Sequence, residues 1–572
     1  MINKQSASNT KVAIFGAGIA GLAAAHEASK MGYQVVVYEC DETPGGFAKS
    51  ARTQSNMPTE YSWRGYGPWY HNVFKLMQEI PCRTHDGSVY DKELSRQINF
   101  AIVPDDSITN NLSLYDSFGR LDYLRFVLTM LRGFVTDKRG HEFYSTLNAA
   151  EYLKKRLSSK AHKAIVSTFG PWIGTDSVRT SLHHLCTFHR KNKWPRYFPK
   201  PYLHPEDEFG GPWLHQGNDG WLVMKGPTSE AWFDPWISYL KNNGVEFKFN
   251  HTLQKFTAEN KAIDLAILCD KNSNREVSIN ADHYILAITP FAAEKVIAES
   301  SCVVNQDQEC KKLSNLIADG PHIQIAFQIG FSEKIKFPTE WQAIILRDSE
   351  YCLTIFPDDL VFRKDVTLGE NVVSLWTGTT TWSYNPDKLT GLTVAECTKE
   401  DFLKGIFNQI FRSKSLDSII RNANNGRSLK SFPIVQTEVW HSWEFPKEYK
   451  EQSEVTAPQP KWSNTTNTQS HHPSTNTSIQ NLILAGSHTK ITADLWSMEG
   501  AAESGRRAAF AIHSNDKKIS KSNVIEHKPP FIFRVCSKLD NGLYAIGLPN
   551  LVDVIVSVLF ILLIGFGVWM IK

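Results

Sequence analysis

Three glycines near the start of the chain have the spacing of a turn that binds phosphates. Gly16, Gly18 and Gly21 stand in the stretch GAGIAG, after a short apolar run and before an alanine-rich segment. In such a turn the first glycine permits a tight bend, the second lets the backbone approach a pyrophosphate, and the third lets a helix pack closely on a strand. The N-terminus of the helix then offers free N–H groups to the phosphates. We therefore predict that a dinucleotide binds here, with Ala20 also among the cofactor-binding residues.

An acidic residue completes this pattern. Residues 34–38 read as a second apolar strand, and Glu39 follows it directly. A carboxylate in this place accepts hydrogen bonds from the ribose hydroxyls of adenosine and disfavours a 2′-phosphate. A strand, the glycines, a helix, a second strand and an acid in this order predict a Rossmann-like α/β unit.

A second group of small residues comes very late in the chain. Residues 498–509 read MEGAAESGRRAA. A helix that presents glycine and alanine lets another group approach its backbone closely. That group is either a cofactor or a neighbouring element of an ordinary close-packed core, and the segment alone leaves both interpretations open.

Cysteine and histidine usage does not point to a metal site. The nine cysteines are scattered, odd in number and never spaced as CxxC, which argues against a disulfide framework and a zinc ribbon. A reducing compartment is therefore expected for the catalytic part. His183, His184, Cys186 and His189 are close in sequence, but no second pair of ligands stands nearby. We predict no bound metal.

Length and charge narrow the class of protein. At 572 residues the chain is too long for one simple core, so two or more domains are expected. The net charge is only +3, and no basic stripe interleaved with aromatic residues is present. Binding to nucleic acid is therefore not expected.

The end of the chain resembles a membrane anchor in its composition. Residues 551–571 are apolar except for Asp553, and the residues before them are mostly basic. A helix of this length can cross the hydrocarbon core of a bilayer. The basic residues before this segment predict that the large N-terminal part lies in the cytosol. The polar start of the chain lacks the apolar region of a signal peptide. We predict a single-pass C-terminal anchor in the lipid bilayer, with the catalytic part cytosolic.

Three separated segments resemble one superfamily of flavoproteins. The double glycine Gly45-Gly46, shortly after Glu39, is similar to the extended motif of the two-domain flavoproteins that include amine oxidases and carotenoid desaturases. Residues 60–77 and the late LAGSHTK…SMEGA…SG segment resemble plant-type phytoene and ζ-carotene desaturases. The resemblance implies FAD as the cofactor. The Gly-Leu-His element of those desaturases is missing, because residues 62–64 read Ser-Trp-Arg at about that place.

The resemblance also implies positions for the cofactor and the substrate. Gly486 and Ser487 would lie near the ribityl-pyrophosphate, and Leu253 near the adenine. The helix that begins with Met498 and Glu499 would direct its N–H groups at the flavin ring, where its positive end stabilises the reduced form. The residues that it implies for the substrate pocket are Arg64, Tyr66, Trp69 and Trp496.

The resemblance divides the chain into discontinuous domains. We expect an α/β fold in which a Rossmann-like FAD-binding domain is joined to an α+β substrate domain and a C-terminal transmembrane helix. The expected ranges are 10–80, 219–290 and 479–514 for the FAD-binding domain, 81–218 and 291–450 for the substrate domain, 451–478 for a disordered loop, 515–550 for a basic linker and 551–571 for the transmembrane anchor.

Three functions follow from these expectations. The first is a membrane-anchored FAD-dependent oxidoreductase that desaturates or oxidises a lipophilic isoprenoid by hydride transfer, with a quinone or oxygen as electron acceptor. An alternative is a flavin amine oxidase, although Ser497 stands where amine oxidases commonly carry a tyrosine. A second alternative is an FAD-binding pseudoenzyme that serves as a membrane-tethered binding module. The sequence assigns no catalytic base.

Overall fold

The structure is a computed structural model of the chain. It describes residues 9–62, 64–83, 85–95, 99–103, 117–176, 178–197, 221–338, 341–449, 454–517 and 522–571. Part of the predicted substrate domain, residues 198–218, lies outside the described residues, as does the polar start of the chain.

The described chain forms runs of strands and runs of helices. The strands are β1 (Lys11–Phe15), β2 (Gln34–Tyr38), β3 (Ser50–Arg52), β4 (Pro58–Glu60), β5 (Gly65–Tyr66), β6 (Leu94–Ser95), β7 (Asn99–Val103), β8 (Leu222–Met224), β9 (Glu246–Lys248), β10 (His251–Glu259), β11 (Ala262–Asp270), β12 (Arg275–Ile279), β13 (His283–Leu286), β14 (Ala326–Phe331), β15 (Trp341–Leu346), β16 (Leu353–Pro357), β17 (Ser374–Thr379), β18 (Ile434–Val439) and β19 (Leu482–Leu484). The helices are α1 (Ile19–Lys30), α2 (His71–Glu79), α3 (Val89–Glu93), α4 (Arg120–Phe134), α5 (Lys138–Glu142), α6 (Ala149–Lys154), α7 (Ser159–Ile173), α8 (Leu182–Tyr197), α9 (Asp234–Asn242), α10 (Pro290–Ala298), α11 (Cys302–Asn305), α12 (Gln308–Leu316), α13 (Lys399–Arg412), α14 (Lys414–Ala423), α15 (Met498–Lys517), α16 (Phe531–Ala545) and α17 (Leu551–Ile571).

A five-stranded sheet forms the nucleotide-binding layer. Its strand order is β19-β13-β1-β2-β9, and every pair is parallel. Strand β1 is buried from Val12 to Phe15, as expected for a central strand covered on both faces. The sheet draws strands from all three segments that the sequence indicated, and the α/β, Rossmann-like fold is therefore confirmed.

Helix α15 packs directly on α1 beside this sheet. A Cβ atom on Gly505 would lie only 2.0 Å from the carbonyl oxygen of Ala20 in α1. A Cβ atom on Gly500 would lie 2.5 Å from the Ile491 side chain. These two small residues therefore serve the packing of the protein's own elements.

The second domain is built on a six-stranded mixed sheet. Its order is β18-β14-β17-β16-β15-β7, and β15 with β7 is its parallel pair. Its core includes Tyr351, Trp376 and Phe402, with Phe402 supplied by α13. Because β7 precedes the helices of the first half and the other strands follow residue 325, the sheet joins the two parts of the predicted α+β substrate domain.

The predicted disordered loop is wrong for the residues that the structure describes. Trp462 is 3% exposed, and its indole Nε1 donates to the carbonyl oxygen of Leu316. The Thr465 hydroxyl donates to Asp319, and Asn464 pairs with His472. The polar side chains of this segment bond to the protein instead of to water, which composition does not reveal.

The C-terminal region also differs from the prediction. Part of the predicted linker forms α16, and its buried Asp540 accepts a hydrogen bond from Arg139 at 3.1 Å. Asp553 in α17 pairs with Arg132 at 2.6 Å. Within the described part of the chain, no helix has both the length and the apolar character needed to cross a membrane. The predicted transmembrane anchor is thus not confirmed.

Candidate functional site

The turn between β1 and α1 has the close contacts that its glycines predict. Gly16 has a φ of +101°, and a Cβ atom there would lie 2.5 Å from the carbonyl oxygen of Ala287. A Cβ atom on Gly21 would lie 1.8 Å from the carbonyl oxygen of Gly16. Neither position has room for a side chain, so the glycines hold helix and strand together. Gly18 precedes α1 and leaves its N-terminus open to a ligand.

Glu39 joins this turn to the end of β2. Its carboxylate accepts the backbone N–H of Ala17 at 2.6 Å and that of Asp41 at 3.0 Å. A carboxylate has about four lone-pair sites, so both oxygens keep capacity for hydroxyl donors. Glu39 lines the same cavity as the glycines and is suited to bind ribose hydroxyls there.

The double glycine faces the turn from the other side. Gly45 has a φ of +112° and Gly46 a φ of +54°, in the left-handed region that favours glycine. The N–H of Gly45 donates to the carbonyl oxygen of Ala17 at 2.8 Å. A Cβ atom on Gly18 would lie 4.0 Å from the Cα of Gly46. The two backbones thus form a narrow groove without side chains.

The late segment reaches the cavity with three of its four predicted residues. Gly486, Ser487 and Met498 line it. Gly486 has a φ of +140°, and its N–H donates to the hydroxyl of Ser504 at 2.8 Å. The loop after β19 is therefore anchored to the side of α15 that carries the small residues.

Glu499 is the exception, because its side chain binds protein groups elsewhere. It accepts the backbone N–H groups of Asn72 and Val73, each at 3.0 Å, and the Nε2 of His527 lies 2.8 Å from it. It is fully buried and does not line the cavity. The Glu499 side chain therefore fastens α15 to the start of α2, and the contribution of the backbone N–H groups at this end of α15 to the cofactor site stays a prediction.

Gly16, Gly18, Glu39, the double glycine and the late-segment residues other than Glu499 border one cavity of about 310 Å³. At one end, which we call the adenosine end, Glu39 and Leu253 line the wall beside the glycine turn. Leu253, which was predicted to lie near the adenine, lines the cavity together with His251 and Thr252. The other end, which we call the substrate end, is lined by Tyr61, Arg64, Trp69, Tyr70, Phe188, Trp221, Gln324, Lys461 and Trp496.

Three of the four residues predicted for the substrate pocket are present at the substrate end. Arg64 donates from Nε to the carbonyl oxygen of Ala48 at 3.1 Å, and its Nη2 lies 3.8 Å from Glu60. Trp69 and Trp496 are part of the wall. Tyr66 is not, because its buried ring packs on other aromatic rings, including that of Trp232 at 6.0 Å.

Sequence reasoning missed Lys461, the most unusual group of the wall. It is 2% exposed, and its Nζ donates to the side-chain oxygen of Gln324 and lies 4.5 Å from the centre of the Trp496 ring. Burial lowers the pKa of Lys461 well below its usual range, and the charge of Arg64 lowers it further. This lysine therefore gives up its proton more readily than an exposed lysine, and the resulting amine can accept a proton. Its position in a polar stretch resembling a disordered loop concealed it.

The chemistry of the cavity fits a dinucleotide. The groove between Gly18 and Gly46 carries no side chains, and the open N-terminus of α1 suits a pyrophosphate. Glu39 suits a ribose, and the aromatic wall at the far end suits a flat ring system. The fold and the cavity together define a two-domain dinucleotide-binding protein.

Comparisons with known proteins agree with this class. Residues 14–80 match the family model of an NAD(P)-binding Rossmann-like domain. Comparison with curated protein sequences finds no significant match.

Several solved oxidoreductases share the fold over most of the chain. Putrescine oxidase bound to putrescine is 13% identical with a TM-score of 0.57, covering 89% of this chain and 99% of its own. Cyclohexylamine oxidase from Brevibacterium oxydans is 14% identical with a TM-score of 0.55, covering 89% and 100%. An oxidoreductase from Methanosarcina mazei is 12% identical with a TM-score of 0.55, covering 88% and 100%. The chain thus has the fold of these proteins, while the resemblance to phytoene desaturases stays a prediction.

Proposed function

We propose that the protein is an FAD-dependent oxidoreductase that oxidises an apolar substrate. The observation that carries this proposal is the composition of the substrate end. Six aromatic side chains form its wall, and among the described residues that line the whole cavity Glu39, at the adenosine end, is the single carboxylate. A cationic substrate would find no counter-ion beside it and would face Arg64 instead.

The residues of the wall have distinct parts in such a reaction. When bound, FAD supplies a hydride acceptor. The aromatic rings exclude water and hold the substrate flat. Lys461, whose lowered pKa favours the amine form, accepts the proton that leaves the substrate together with the hydride. Arg64 is held by Ala48 and Glu60 and keeps the wall in place. In an isoprenoid, a C–H bond beside a double bond would provide the hydride and a C–H bond on the adjacent carbon the proton. The electron pair left by the proton forms the new double bond, and a quinone or oxygen would take up the two electrons.

Amine oxidation is the second candidate. Its support is the fold shared with putrescine oxidase and cyclohexylamine oxidase. The wall suits an amine that binds in its neutral form. Lys461 could take up the proton that the ammonium form loses on binding. A third candidate is a binding protein that keeps FAD without turnover, and the missing Gly-Leu-His element at residues 62–64 motivates it.

Membrane attachment belongs to the same proposal. Residues 555–566 of α17 carry exposed apolar side chains, with Leu559 at 54% and Leu563 at 69% exposure. A lipid surface would cover them at a gain of about 25 cal/mol per Å² of apolar area. A lipophilic substrate and a quinone would then be available in the same phase, with the catalytic part in the cytosol.

The first test is an absorption spectrum of the full chain in detergent, followed by identification of the nucleotide released on denaturation. Flavin bands with released FAD are expected, and a colourless protein that takes up no added FAD would contradict the proposal. Anaerobic mixing then separates the candidates. Bleaching of the flavin band by a carotenoid precursor supports the first, and bleaching by an amine panel alone supports the second. A flavin that light reduces but no substrate bleaches supports the third.

A further inference from the structure

A second cluster of ligand-type side chains lies outside the cavity. His141 of α5 and His183 of α8 both approach Asp494, which stands in the loop between Gly486 and Ser497. The Nε2 atom of His183 lies 2.7 Å from Oδ2 of Asp494, and the Nε2 atom of His141 lies 3.4 Å from the same oxygen. Two imidazoles and one carboxylate, from three distant parts of the chain, therefore meet at one point.

The separations suit a small divalent cation. Zinc binds histidine nitrogen and carboxylate oxygen at about 2.1 Å, so two ligand atoms at tetrahedral angles lie about 3.4 Å apart. The three ligand atoms of the cluster lie within 4.8 Å of one another. For all three to bind one ion, the His183 and Asp494 atoms would have to move apart by about 0.7 Å, while the His141 and Asp494 atoms already have a suitable separation.

The outer hydrogen bonds orient the ligands as metal sites do. The Nδ1 atom of His141 donates to the carbonyl oxygen of Asp137 at 3.0 Å, which leaves the lone pair of a neutral ring on Nε2. That lone pair faces the acceptor oxygen of Asp494, so a cation, either a proton or a metal ion, must lie between them. The other oxygen of Asp494 accepts a hydrogen bond from Gln469 at 2.8 Å.

We propose that His141, His183 and Asp494 form a binding site for a divalent transition metal of the zinc type. A cavity of about 510 Å³, lined by polar residues such as Ser145 and Asn467, adjoins the cluster and has room for a water as fourth ligand. His141 is 40% exposed at its side chain, which provides an entry path. This proposal is independent of the proposed oxidoreductase activity.

The position of the site gives the ion a structural role. Asp494 is two residues before Trp496, and Leu495 between them lines both cavities. A bound ion would tie this loop to α5 and α8 and so hold one wall of the substrate end. Arg190 opposes the ion, because its Nη2 lies 3.5 Å from the same oxygen of Asp494. The positive charge of Arg190 therefore lowers the affinity of the site for a metal ion.

The test is zinc binding to the full-length protein after treatment with a chelator. Calorimetry should give one equivalent of Zn²⁺, and Co²⁺ in its place should give the visible absorption of a tetrahedral ion. We expect His141→Ala and Asp494→Asn each to weaken binding at least about tenfold. His162→Ala is the matched control, because His162 is a partly exposed histidine of the same helical region, bonds to the carbonyl oxygen of Ala150 and does not belong to the cluster.

A third variant tests the site even if one of the other two variants fails to fold. Arg190→Gln removes the opposing charge and leaves all three ligands, so it should bind zinc more tightly than the native chain. The thermal midpoint of the native chain should rise with zinc, as for any ligand of the folded state. Zinc binding that is equal in the native chain, His141→Ala and His162→Ala, or weaker binding by Arg190→Gln, would overturn the proposal.

Discussion

The two ends of the cavity are built from different materials. At the adenosine end, the backbone of Gly16, Gly18 and Gly46 faces the cavity together with the carboxylate of Glu39. The substrate end is made of side chains drawn from distant segments, from Tyr61 to Trp496. Backbone chemistry is the same for every residue, so the first end binds the part of a cofactor common to many enzymes. Side chains carry the individual chemistry, and the second end therefore decides the reaction.

The largest expected effect tests the backbone end. In Gly21→Ala the new Cβ atom would lie 1.8 Å from the carbonyl oxygen of Gly16, which cannot move without displacing β1. We expect FAD to be absent from the purified protein and the free energy of unfolding to fall by about 3 kcal/mol or more. Flavin content and chemical denaturation measure both.

The control for this change is Gly542→Ala, in α16. No atom stands within 4 Å of a Cβ there, and the helix should become more stable by about 0.5–1 kcal/mol. Native FAD content in Gly21→Ala would mean that the adenosine end does not depend on the glycine packing.

The next effect tests the side-chain end. Lys461→Met removes the proton acceptor but fills the same space, so FAD should bind as in the native chain. We expect the rate of flavin reduction by substrate to fall by about 10²-fold or more. Stopped-flow absorbance under anaerobic conditions measures it.

Lys191→Met is the matched control for a buried lysine. Lys191 is 2% exposed, donates to the carbonyl oxygen of Thr492 at 2.9 Å and does not line the cavity. Its loss should lower the thermal midpoint and leave the rate of reduction within a few-fold. Equal rate losses in the two variants would assign Lys461 a structural role only.

A smaller effect is expected for Glu39→Gln. The amide replaces one of two oxygens that both accept backbone N–H groups, and it weakens the bonds to ribose. FAD affinity should fall about tenfold, or about 1.4 kcal/mol. At saturating FAD the rate of reduction should be native, in contrast to Lys461→Met. A reduced rate at saturation would show that the two ends are not separable.

The smallest effect concerns His488, whose ring packs on Gly486 where the two ends meet. Burial lowers the pKa of His488 to about 3, below the ordinary value of 6.5. The unfolded chain therefore binds a proton below pH 6.5 that the folded chain does not, and stability is lost as pH falls from there towards 3. His488→Gln removes this proton, so its stability relative to the native chain should improve by about 1 kcal/mol between pH 6.5 and 5.5. Thermal unfolding at both pH values tests this, and equal pH slopes would contradict it.

The same contrast explains what could be predicted from the sequence. The glycines, Glu39 and the parallel strands follow local rules of spacing, and all of them lie where they were expected. Lys461 and Trp462 obey no local rule, because their burial depends on elements more than 100 residues away, such as Leu316 and Gln324. From its composition alone, the segment that contains them was predicted to be a disordered loop.

The side chains whose partners sequence spacing did not reveal have the same origin in distant contacts. Glu499 and Tyr66 stand beside residues that line the cavity, but their side chains point to other partners. Adjacent residues of a helix or strand face different directions, which sequence spacing does not resolve when the neighbouring element is unknown. The sequence likewise could not show that Asp494 contacts His183, because Asp494 comes 311 positions later.

The contact between Gly505 and Ala20 has a consequence for biosynthesis. Strand β1 forms the centre of the parallel sheet, but the edge strand β19, which pairs with β13, and the helix α15, which packs on α1, are the last parts of this layer to be translated. At roughly 5–20 residues per second, the ribosome needs about half a minute or more to reach them. During that time the face of α1 that packs on α15 still lacks this partner. We therefore expect the nascent protein to depend on chaperones until the final segment emerges, with flavin captured only after release.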